Sequence, residues 1–100
     1  ELIVQKRSGN LEEFQIEKLQ KGIESAFGGQ DITEKQLKSL VDNIYSEIKN
    51  QGKKVKSKYI GEKVLSYLKD LNEVAYLRYA SVYKEFSEVS DFEKEVAEFN

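Results

Sequence analysis

Three cationic residues occur within the first eighteen positions of this 100-residue chain. Lys6 and Arg7 directly precede Ser8-Gly9-Asn10, a sequence typical of a tight turn, and Lys18 follows in the first turns of a predicted helix. Lysine offers a point charge and arginine a planar fork of donors, and both bind phosphate groups. The pattern therefore predicts a polyphosphate site, with a solvated hairpin tip as the alternative.

Two polar residues between these cations, Glu12 and Gln15, could recognise the base of a nucleotide. A triphosphate repels a carboxylate, so we expect Glu12 to face the base or ribose end. Adenine has an amino donor and ring-nitrogen acceptors, which a carboxylate or a side-chain amide can recognise. A plain ion pair between Glu12 and a lysine is the alternative. Nearby apolar residues would serve both as walls for a purine and as core: Val4, Phe14, Ile16 and Leu19.

The residue types that are missing exclude several kinds of catalytic site. The sequence has no cysteine and no histidine, which removes thiol chemistry, cysteine-type zinc sites and the commonest general base. The G-x-x-x-x-G-K-[ST] pattern of P-loop proteins is also absent, so nucleotide hydrolysis has no recognisable apparatus. We therefore expect a domain that is not an enzyme. Mg²⁺ would enter only with a triphosphate, held mainly by phosphates and water.

The composition indicates one folded domain over residues 1–100. Hydrophobic residues make up 39% of the chain and charged residues 34%, a balance typical of a globular protein with a highly charged surface. The net charge is −2, with +2 over residues 1–60 and −4 over the remainder, whereas nucleic-acid-binding modules are usually basic. We therefore expect no direct DNA binding by these residues alone. No apolar run approaches the roughly 20 residues of a membrane helix, and a cytoplasmic location fits a chain without cysteine.

The elements that would position these residues are a hairpin followed by helices. The predicted fold class is therefore α+β and mostly α. Apolar runs on both sides of Ser8-Gly9-Asn10 predict an N-terminal β-hairpin. Hydrophobic periodicity predicts four to five helices after it. The first ends at Gly28-Gly29, the second begins with a capping box at Thr33-Glu34-Lys35-Gln36, and the fourth covers residues 73–86.

The remaining boundaries depend on shorter signals. Residues 53–56 are interpreted as a basic connector, and Ser57 as the N-cap of the third helix. Ser90-Asp91-Phe92-Glu93 is interpreted as a second capping box, which opens a last acidic helix. The apolar stripe of that helix would consist of Phe92, Val96 and Phe99.

Two stretches of the sequence resemble the ATP-cone, a small nucleotide-binding regulatory domain built from a hairpin and about four helices. The first is the hairpin with the start of the first helix, where Ser8 replaces the aspartate usual in the family. Its matching residues are Val4, Lys6, Arg7, Ser8, Gly9, Glu12, Phe14 and Lys18. The second covers residues 70–86 and is most similar to the cone of the bacterial repressor of ribonucleotide reductase genes, with related stretches in cones fused to the reductases themselves.

The resemblance implies a domain that senses ATP against dATP and controls the oligomeric state of a ribonucleotide reductase or of its repressor. The implied cofactor is ATP or dATP. The implied partners are copies of the chain itself, with a reductase or DNA reached only through other domains. Tyr83 matches a stretch near the nucleotide in the repressor's cone. Apart from the resemblance, Ser57 at the start of the third helix would offer its hydroxyl and the helix N-terminus to phosphate. The predicted nucleotide-binding residues are Val4, Lys6, Arg7, Ser8, Gly9, Glu12, Phe14, Gln15, Lys18, Leu19, Ser57 and Tyr83.

A protein-interaction module that binds no nucleotide is the alternative function. The hairpin cations would then be an ordinary solvated surface. The last helix would dock a partner through Phe92, Val96 and Phe99, since an exposed apolar stripe often marks a contact site.

Overall fold

The computed structural model describes residues 1–99, and the N-terminal hairpin forms part of a small three-stranded sheet. Its strands are β1 (Ile3–Gln5), β2 (Leu11–Glu13) and β3 (Lys54–Lys56), in the spatial order β2-β1-β3. β1 and β2 form the antiparallel hairpin, and β3 runs parallel to β1 with Val55 opposite Val4. Both valines are buried, so the sheet is joined to the hydrophobic core through its middle positions.

The hairpin closes through a turn in which Gly9 has the unusual backbone conformation. Its φ is +93°, and its N–H donates to the carbonyl of Lys6 at 2.8 Å. The N–H of Lys6 donates to the carbonyl of Asn10, also at 2.8 Å. Positive φ costs glycine little because it has no Cβ. The turn thus places Lys6 and Arg7 at the tip of the hairpin.

The helices are α1 (Ile16–Phe27), α2 (Glu34–Lys49), α3 (Ser57–Leu71), α4 (Glu73–Tyr83) and α5 (Val89–Ala97). α1 and α3 each pack against both α2 and α4, and α5 packs mainly on α4. Completely buried aliphatic side chains fill the centre of the core: Ile23, Ile44, Ile48, Val64 and Leu68. Packing of these apolar faces, more than intrinsic propensity, stabilises helices of this length. Within residues 1–99 no helix is both long and apolar enough to cross a membrane.

The predicted fold class is confirmed, together with the predicted end of α1 and the predicted start of α2. α1 ends before Gly28, which has a φ of +46°. The Thr33 hydroxyl accepts from the Gln36 N–H at 3.0 Å, and the Gln36 side chain accepts from the Thr33 N–H at 2.9 Å. This is the predicted capping box of α2, in which two otherwise unpaired donors are satisfied reciprocally.

The prediction of a connector at residues 53–56 is wrong, since three of its residues form β3. Val55 is buried between exposed Lys54 and Lys56, the alternation of a strand with one face on the core. β3 leads directly into α3, so its last residue, Lys56, occupies the N-cap position in an extended conformation (φ −78°, ψ 140°) without a side-chain cap. Ser57 is therefore the first residue of α3 and not its N-cap.

The fourth helix is shorter than predicted and ends at Tyr83. Glu85 adopts a φ of +56°, its N–H donates to the carbonyl of Val82, and the N–H of Phe86 donates to the carbonyl of Ser81. These two bonds form a Schellman motif, which satisfies the last carbonyls of a helix. The motif could not be predicted from the sequence, because Glu85 occupies the left-handed position that glycine usually takes.

The start of the last helix also differs from the prediction. α5 begins at Val89, and the Asp91 carboxylate accepts from the backbone N–H groups of Ser87 (2.9 Å) and Glu88 (3.1 Å). The side chain that satisfies the free donors is therefore Asp91, not the hydroxyl of Ser90. The bonds from Ser87 and then Glu88 favour the ionised carboxyl and lower the pKa of Asp91.

The apolar stripe on α5 is shifted by one turn from its predicted position. Phe99 is partly buried, with its ring edge-on to Tyr76 at a centroid distance of 5.0 Å. Val89, Phe92 and Val96 are instead the exposed members of the stripe, at 74%, 41% and 42% of their full accessibility.

Candidate functional site

An open cleft of about 560 Å³ lies where the hairpin, the start of α1, the start of α3 and the end of α4 meet. Eleven of the twelve predicted residues line it: Val4, Lys6, Arg7, Ser8, Glu12, Phe14, Gln15, Lys18, Leu19, Ser57 and Tyr83. Gly9 does not line the cleft but a smaller cavity beside it. The cleft lining also includes four residues that were not predicted: Glu13, Ile60, Gly61 and Tyr79.

The Glu12 carboxylate lies between two of the three predicted cations. Its Oε2 is 3.3 Å from Nζ of Lys6, and its Oε1 is 3.3 Å from Nζ of Lys18. Hydrogen bonds from Lys6 and then Lys18 favour the ionised form, so the pKa of the Glu12 carboxyl lies below its usual value. The ion pair that sequence analysis left as the alternative for Glu12 is therefore present, and it includes both lysines.

Arg7 points away from this cluster and contacts the C-terminal end of α4. Its Nη2 donates to the carbonyl of Tyr83 at 3.2 Å, and its guanidinium carbon lies 5.0 Å from the centroid of the Tyr83 ring. Its Nη1 also lies 3.5 Å from the carboxylate of Glu85. A cation at a helix C-terminus interacts favourably with the helix dipole, so Arg7 joins the hairpin to α4.

Tyr83 occupies one side of the cleft, and Gly61 makes room for its ring. The Tyr83 hydroxyl donates to the carbonyl of Lys58 at 3.2 Å, and the ring stacks on Tyr79 with centroids 6.3 Å apart. A Cβ at Gly61 would overlap the Tyr83 ring, approaching Cζ to 2.6 Å. A glycine inside a helix costs about 1 kcal/mol of stability relative to alanine, so it often has a packing reason. The glycine at position 61 is therefore the one sequence signal that could have marked this close approach.

Apolar side chains from several elements form the rest of the cleft wall. Val4 and Leu19 are buried, and the Phe14 ring stacks on Tyr45 of α2 at a centroid distance of 5.3 Å and an interplanar angle of 5°. Ile60 and Tyr79 add surface from α3 and α4. No local pattern marks these last two residues, because only the packing of the helices brings them to the hairpin.

The arrangement suits an anionic group attached to a flat apolar one. Cations lie at the hairpin tip and at the start of α1, and the apolar wall lies beside them. Charge-assisted bonds from lysine and arginine would hold the anion, and the wall would cover the apolar part. Within residues 1–99 no group of three or more His, Cys, Asp or Glu is arranged to hold a metal ion.

Comparison with known proteins gives a consistent result over nearly the whole chain. A family profile described as "ATP cone domain" matches residues 2–89. Among curated proteins, the transcriptional repressor NrdR of Corynebacterium kroppenstedtii is 42% identical over 99 residues, which cover 98% of this chain and 66% of that protein. The repressor of the same name from Thermobifida fusca is 45% identical over 98 residues, which cover 97% of this chain and 64% of that protein.

A third relative, the transcriptional repressor NrdR of Halomicrobium mukohataei, is 44% identical over 96 residues, which cover 95% of this chain and 59% of that protein. The chain thus spans slightly less than two thirds of the length of these relatives. All three are named as repressors of transcription and not as enzymes.

Proposed function

This chain belongs to the ATP-cone domain family, and we propose that it binds ATP or dATP in the cleft and regulates a transcriptional repressor through the oligomeric state of that repressor. The names of the relatives support the repressor context, whereas a cone fused to a ribonucleotide reductase is the less favoured parent. Contact with DNA would belong to other parts of the repressor. A cytoplasmic location, expected from the sequence, is part of the proposal.

The meeting of cations, base-reading residues and apolar walls in one cleft carries the proposal. Its volume of about 560 Å³ falls within the roughly 300–1,000 Å³ of small-ligand pockets. Residues that are distant in sequence, such as Lys6, Ser57 and Tyr83, line this same cleft. A solvated hairpin tip would have no need of an apolar wall from α3 and α4.

The position of the Glu12 carboxylate supports a phosphate site between the two lysines. Because Nζ of Lys6 and Nζ of Lys18 both lie 3.3 Å from this one carboxylate, an anionic group of similar size in its place can contact both. A phosphate carries more charge and more acceptor oxygens than a carboxylate, so it competes well for the two ammonium groups. Mg²⁺ would accompany the triphosphate, held mainly by its oxygens and water.

Displacement from the lysines frees Glu12 for the base end of the nucleotide. The side chain is 35% exposed, so it can turn without disturbing the core. Its carboxylate can then accept a hydrogen bond from the adenine amino group. The side-chain amide of Gln15, which lines the same cleft, can donate a hydrogen bond to a ring nitrogen. Glu12 thus has a paired role before binding and a recognition role after it.

Arg7 supplies a route from the cleft to the rest of the domain. A phosphate at the hairpin tip would attract its guanidinium away from Glu85 and from the Tyr83 carbonyl. The contacts that join the hairpin to the end of α4 would then change. The resulting shift between two conformations can be no larger than the difference in nucleotide affinity between them.

Titration calorimetry with ATP, dATP and GTP tests the proposal on the parent chain. We expect binding of ATP and dATP at one cleft and weaker binding of GTP, together with a higher melting temperature in the presence of the two adenine nucleotides. Absence of any heat or thermal shift with ATP and dATP would show that the cleft has another use.

The exposed stripe on α5 favours a second candidate function, that of a protein-interaction module without nucleotide. Val89, Phe92 and Val96 recur at helical spacing and remain open to solvent. The two functions are compatible when the partner is a second copy of the chain and the nucleotide controls the contact. The interaction module stands alone only if the titrations above fail.

A further inference from the structure

A second, smaller cavity of about 310 Å³ adjoins the cleft at the hairpin tip. It shares Lys6, Arg7 and Ser57 with the cleft, so the two spaces lie on either side of these residues. Lys56 and Lys58 line the second cavity but not the cleft. A ligand that fills the cleft and extends past the hairpin would therefore meet these two lysines.

The second cavity has a different charge balance from the cleft. Among the residues of the described part of the chain that line it, four are cations and none is a carboxylate. In the cleft, by contrast, Glu12 neutralises part of the charge of Lys6 and Lys18. Arg7 has Glu85 as a partner, but both side chains of that pair are mostly exposed, so the pair is weak and easily exchanged.

The backbone around Lys56 and Lys58 is fixed by long-range contacts. Lys56 ends β3 beside Gln5 of β1, and the carbonyl of Lys58 accepts the Tyr83 hydroxyl at 3.2 Å. Both side chains remain exposed, so their ammonium groups are available to a ligand. Lys56 and Lys58 thus extend from a backbone that β1 and Tyr83 hold in place, and they line the same cavity as Lys6 and Arg7.

We propose that the second cavity receives the terminal phosphate of a nucleoside triphosphate, and that Lys56 and Lys58 select triphosphates over di- and monophosphates. This inference rests on the proposed function of the cleft. In this arrangement the first phosphate lies between Lys6 and Lys18, and each further phosphate brings more charge toward Lys56 and Lys58. Selectivity for phosphate number is then separate from selectivity for the base.

The test compares the affinities of ATP, ADP and AMP for the parent chain and for a Lys56→Gln/Lys58→Gln variant. The parent should bind ATP more tightly than ADP and AMP. The variant should lose about tenfold or more in affinity for ATP, which is the effect of removing charge-assisted bonds, and keep its affinity for AMP. Inorganic tripolyphosphate should compete with ATP for the parent and compete less well for the variant.

A Lys53→Gln/Lys54→Gln variant is the matched control. It removes the same charge from the same segment, but neither lysine lines the second cavity. An equal loss of ATP affinity in both double variants would overturn the inference, because it would indicate only a long-range field. An unchanged ratio of ATP to AMP affinity in Lys56→Gln/Lys58→Gln would overturn it as well.

The outcomes separate this inference from the proposed function. If the parent binds ATP, ADP and AMP equally, the cleft binds nucleotides and the selection by Lys56 and Lys58 is refuted. If the parent binds none of them, the proposed function fails and the inference fails with it. Circular dichroism confirms that the variants fold, and the single Lys58→Gln variant repeats the comparison with a smaller change.

Discussion

At the scale of single residues, Glu12 would have two opposing effects on nucleotide binding at the proposed site. Its carboxylate would compete with phosphate for Lys6 and Lys18, to which it is paired, and it would also keep their ammonium groups close to one point. The first effect weakens phosphate binding, whereas the second reduces the conformational freedom that the two lysines would lose. Replacing a lysine and replacing Glu12 should therefore have different kinds of effect on nucleotide binding, and not only effects of different size.

Replacement of either lysine should weaken all nucleotides alike. Lys6→Ala or Lys18→Ala removes a charge-assisted bond to phosphate, so affinity for ATP, dATP and GTP should fall about ten- to a hundredfold. The loss should shrink at high salt, because screening already weakens these bonds. Calorimetry measures it, with Lys21→Ala as control, since Lys21 is exposed on α1 and does not line the cleft. Parent-like binding of ATP by both variants would reduce these lysines to a solvated surface.

Replacement of Glu12 should change the choice of base. Glu12→Gln keeps the size and one acceptor but loses the charge that attracts the adenine amino group, so the preference for ATP over GTP should narrow. Affinity for inorganic tripolyphosphate should rise, because the carboxylate no longer competes for the two ammonium groups. A variant that keeps the parent's ATP-to-GTP ratio would remove Glu12 from base recognition.

At the scale of elements, the packing of α3 against α4 depends on Gly61, which has no side chain to collide with Tyr83. Gly61→Ala puts a Cβ into the space of the Tyr83 ring and should destabilise the domain by about 1–3 kcal/mol, as overpacked cores do. Nucleotide affinity should fall too, because the displaced ring lines the cleft. Denaturant unfolding and calorimetry measure the two effects.

Gly22→Ala is the matched control for Gly61→Ala. Gly22 is also inside a helix, but its Cβ would meet only Tyr79, at an ordinary 3.7 Å. This substitution should stabilise the domain by up to about 1 kcal/mol through helix propensity. Combining Gly61→Ala with Tyr83→Ala should recover part of the lost stability, and strictly additive effects would show that the two residues are not coupled.

The contact of α5 with α4 depends on a buried carboxylate. Glu95 is 4% exposed and accepts from the Tyr76 hydroxyl at 2.5 Å and from Nζ of Lys84 at 2.9 Å. Burial raises the pKa of Glu95, and the bonds from Tyr76 and Lys84 outweigh this effect, so the pKa lies below its usual 4.5. A lowered pKa stabilises the fold above the unfolded-state value, and this stabilisation is lost as the pH falls through the folded-state value.

Glu95→Gln should therefore cost about 1–3 kcal/mol of unfolding free energy at pH 7, and its difference from the parent should shrink below pH 4.5. Denaturant titrations at a series of pH values measure this. Glu93→Gln, an exposed substitution on the same helix, is the control and should have little effect at any pH. A difference between parent and Glu95→Gln that is constant with pH would contradict the role of ionised Glu95.

These elements also show what the sequence could predict. The capping box of α2 and the hairpin turn were predictable because each needs only residues a few positions apart. β3 was missed because its partner β1 lies about fifty residues earlier, and the three residues Lys54, Val55 and Lys56 carry no strong local pattern. The cleft shows the same limit: most of its hairpin and α1 residues were predicted from the local sequence, although Glu13 was missed, whereas Ile60, Gly61 and Tyr79 depend on how α3 and α4 pack.

At the scale of the whole molecule, the proposed function requires a link between the cleft at the hairpin and a surface where copies of the chain could meet. The cleft and the stripe on α5 are connected through α4, because Arg7 contacts the end of α4 and Lys84 directly after it pairs with Glu95 on α5. We therefore expect a change at the hairpin to alter the position of α5. The stripe of Val89, Phe92 and Val96 would then present a different surface to a second copy of the chain.

We expect this domain to self-associate, with ATP and dATP favouring different assemblies. Sedimentation velocity with ATP, dATP and neither nucleotide measures the effect.

Val89→Gln/Val96→Gln should weaken association without loss of stability, because both side chains are already largely exposed. Leu71→Gln is the control, since Leu71 is 57% exposed at the end of α3 and lies off the stripe. An unchanged monomer under all three conditions would show that this part of the chain does not assemble by itself. A stripe variant that weakens assembly no more than Leu71→Gln does would contradict a contact made specifically by the stripe on α5.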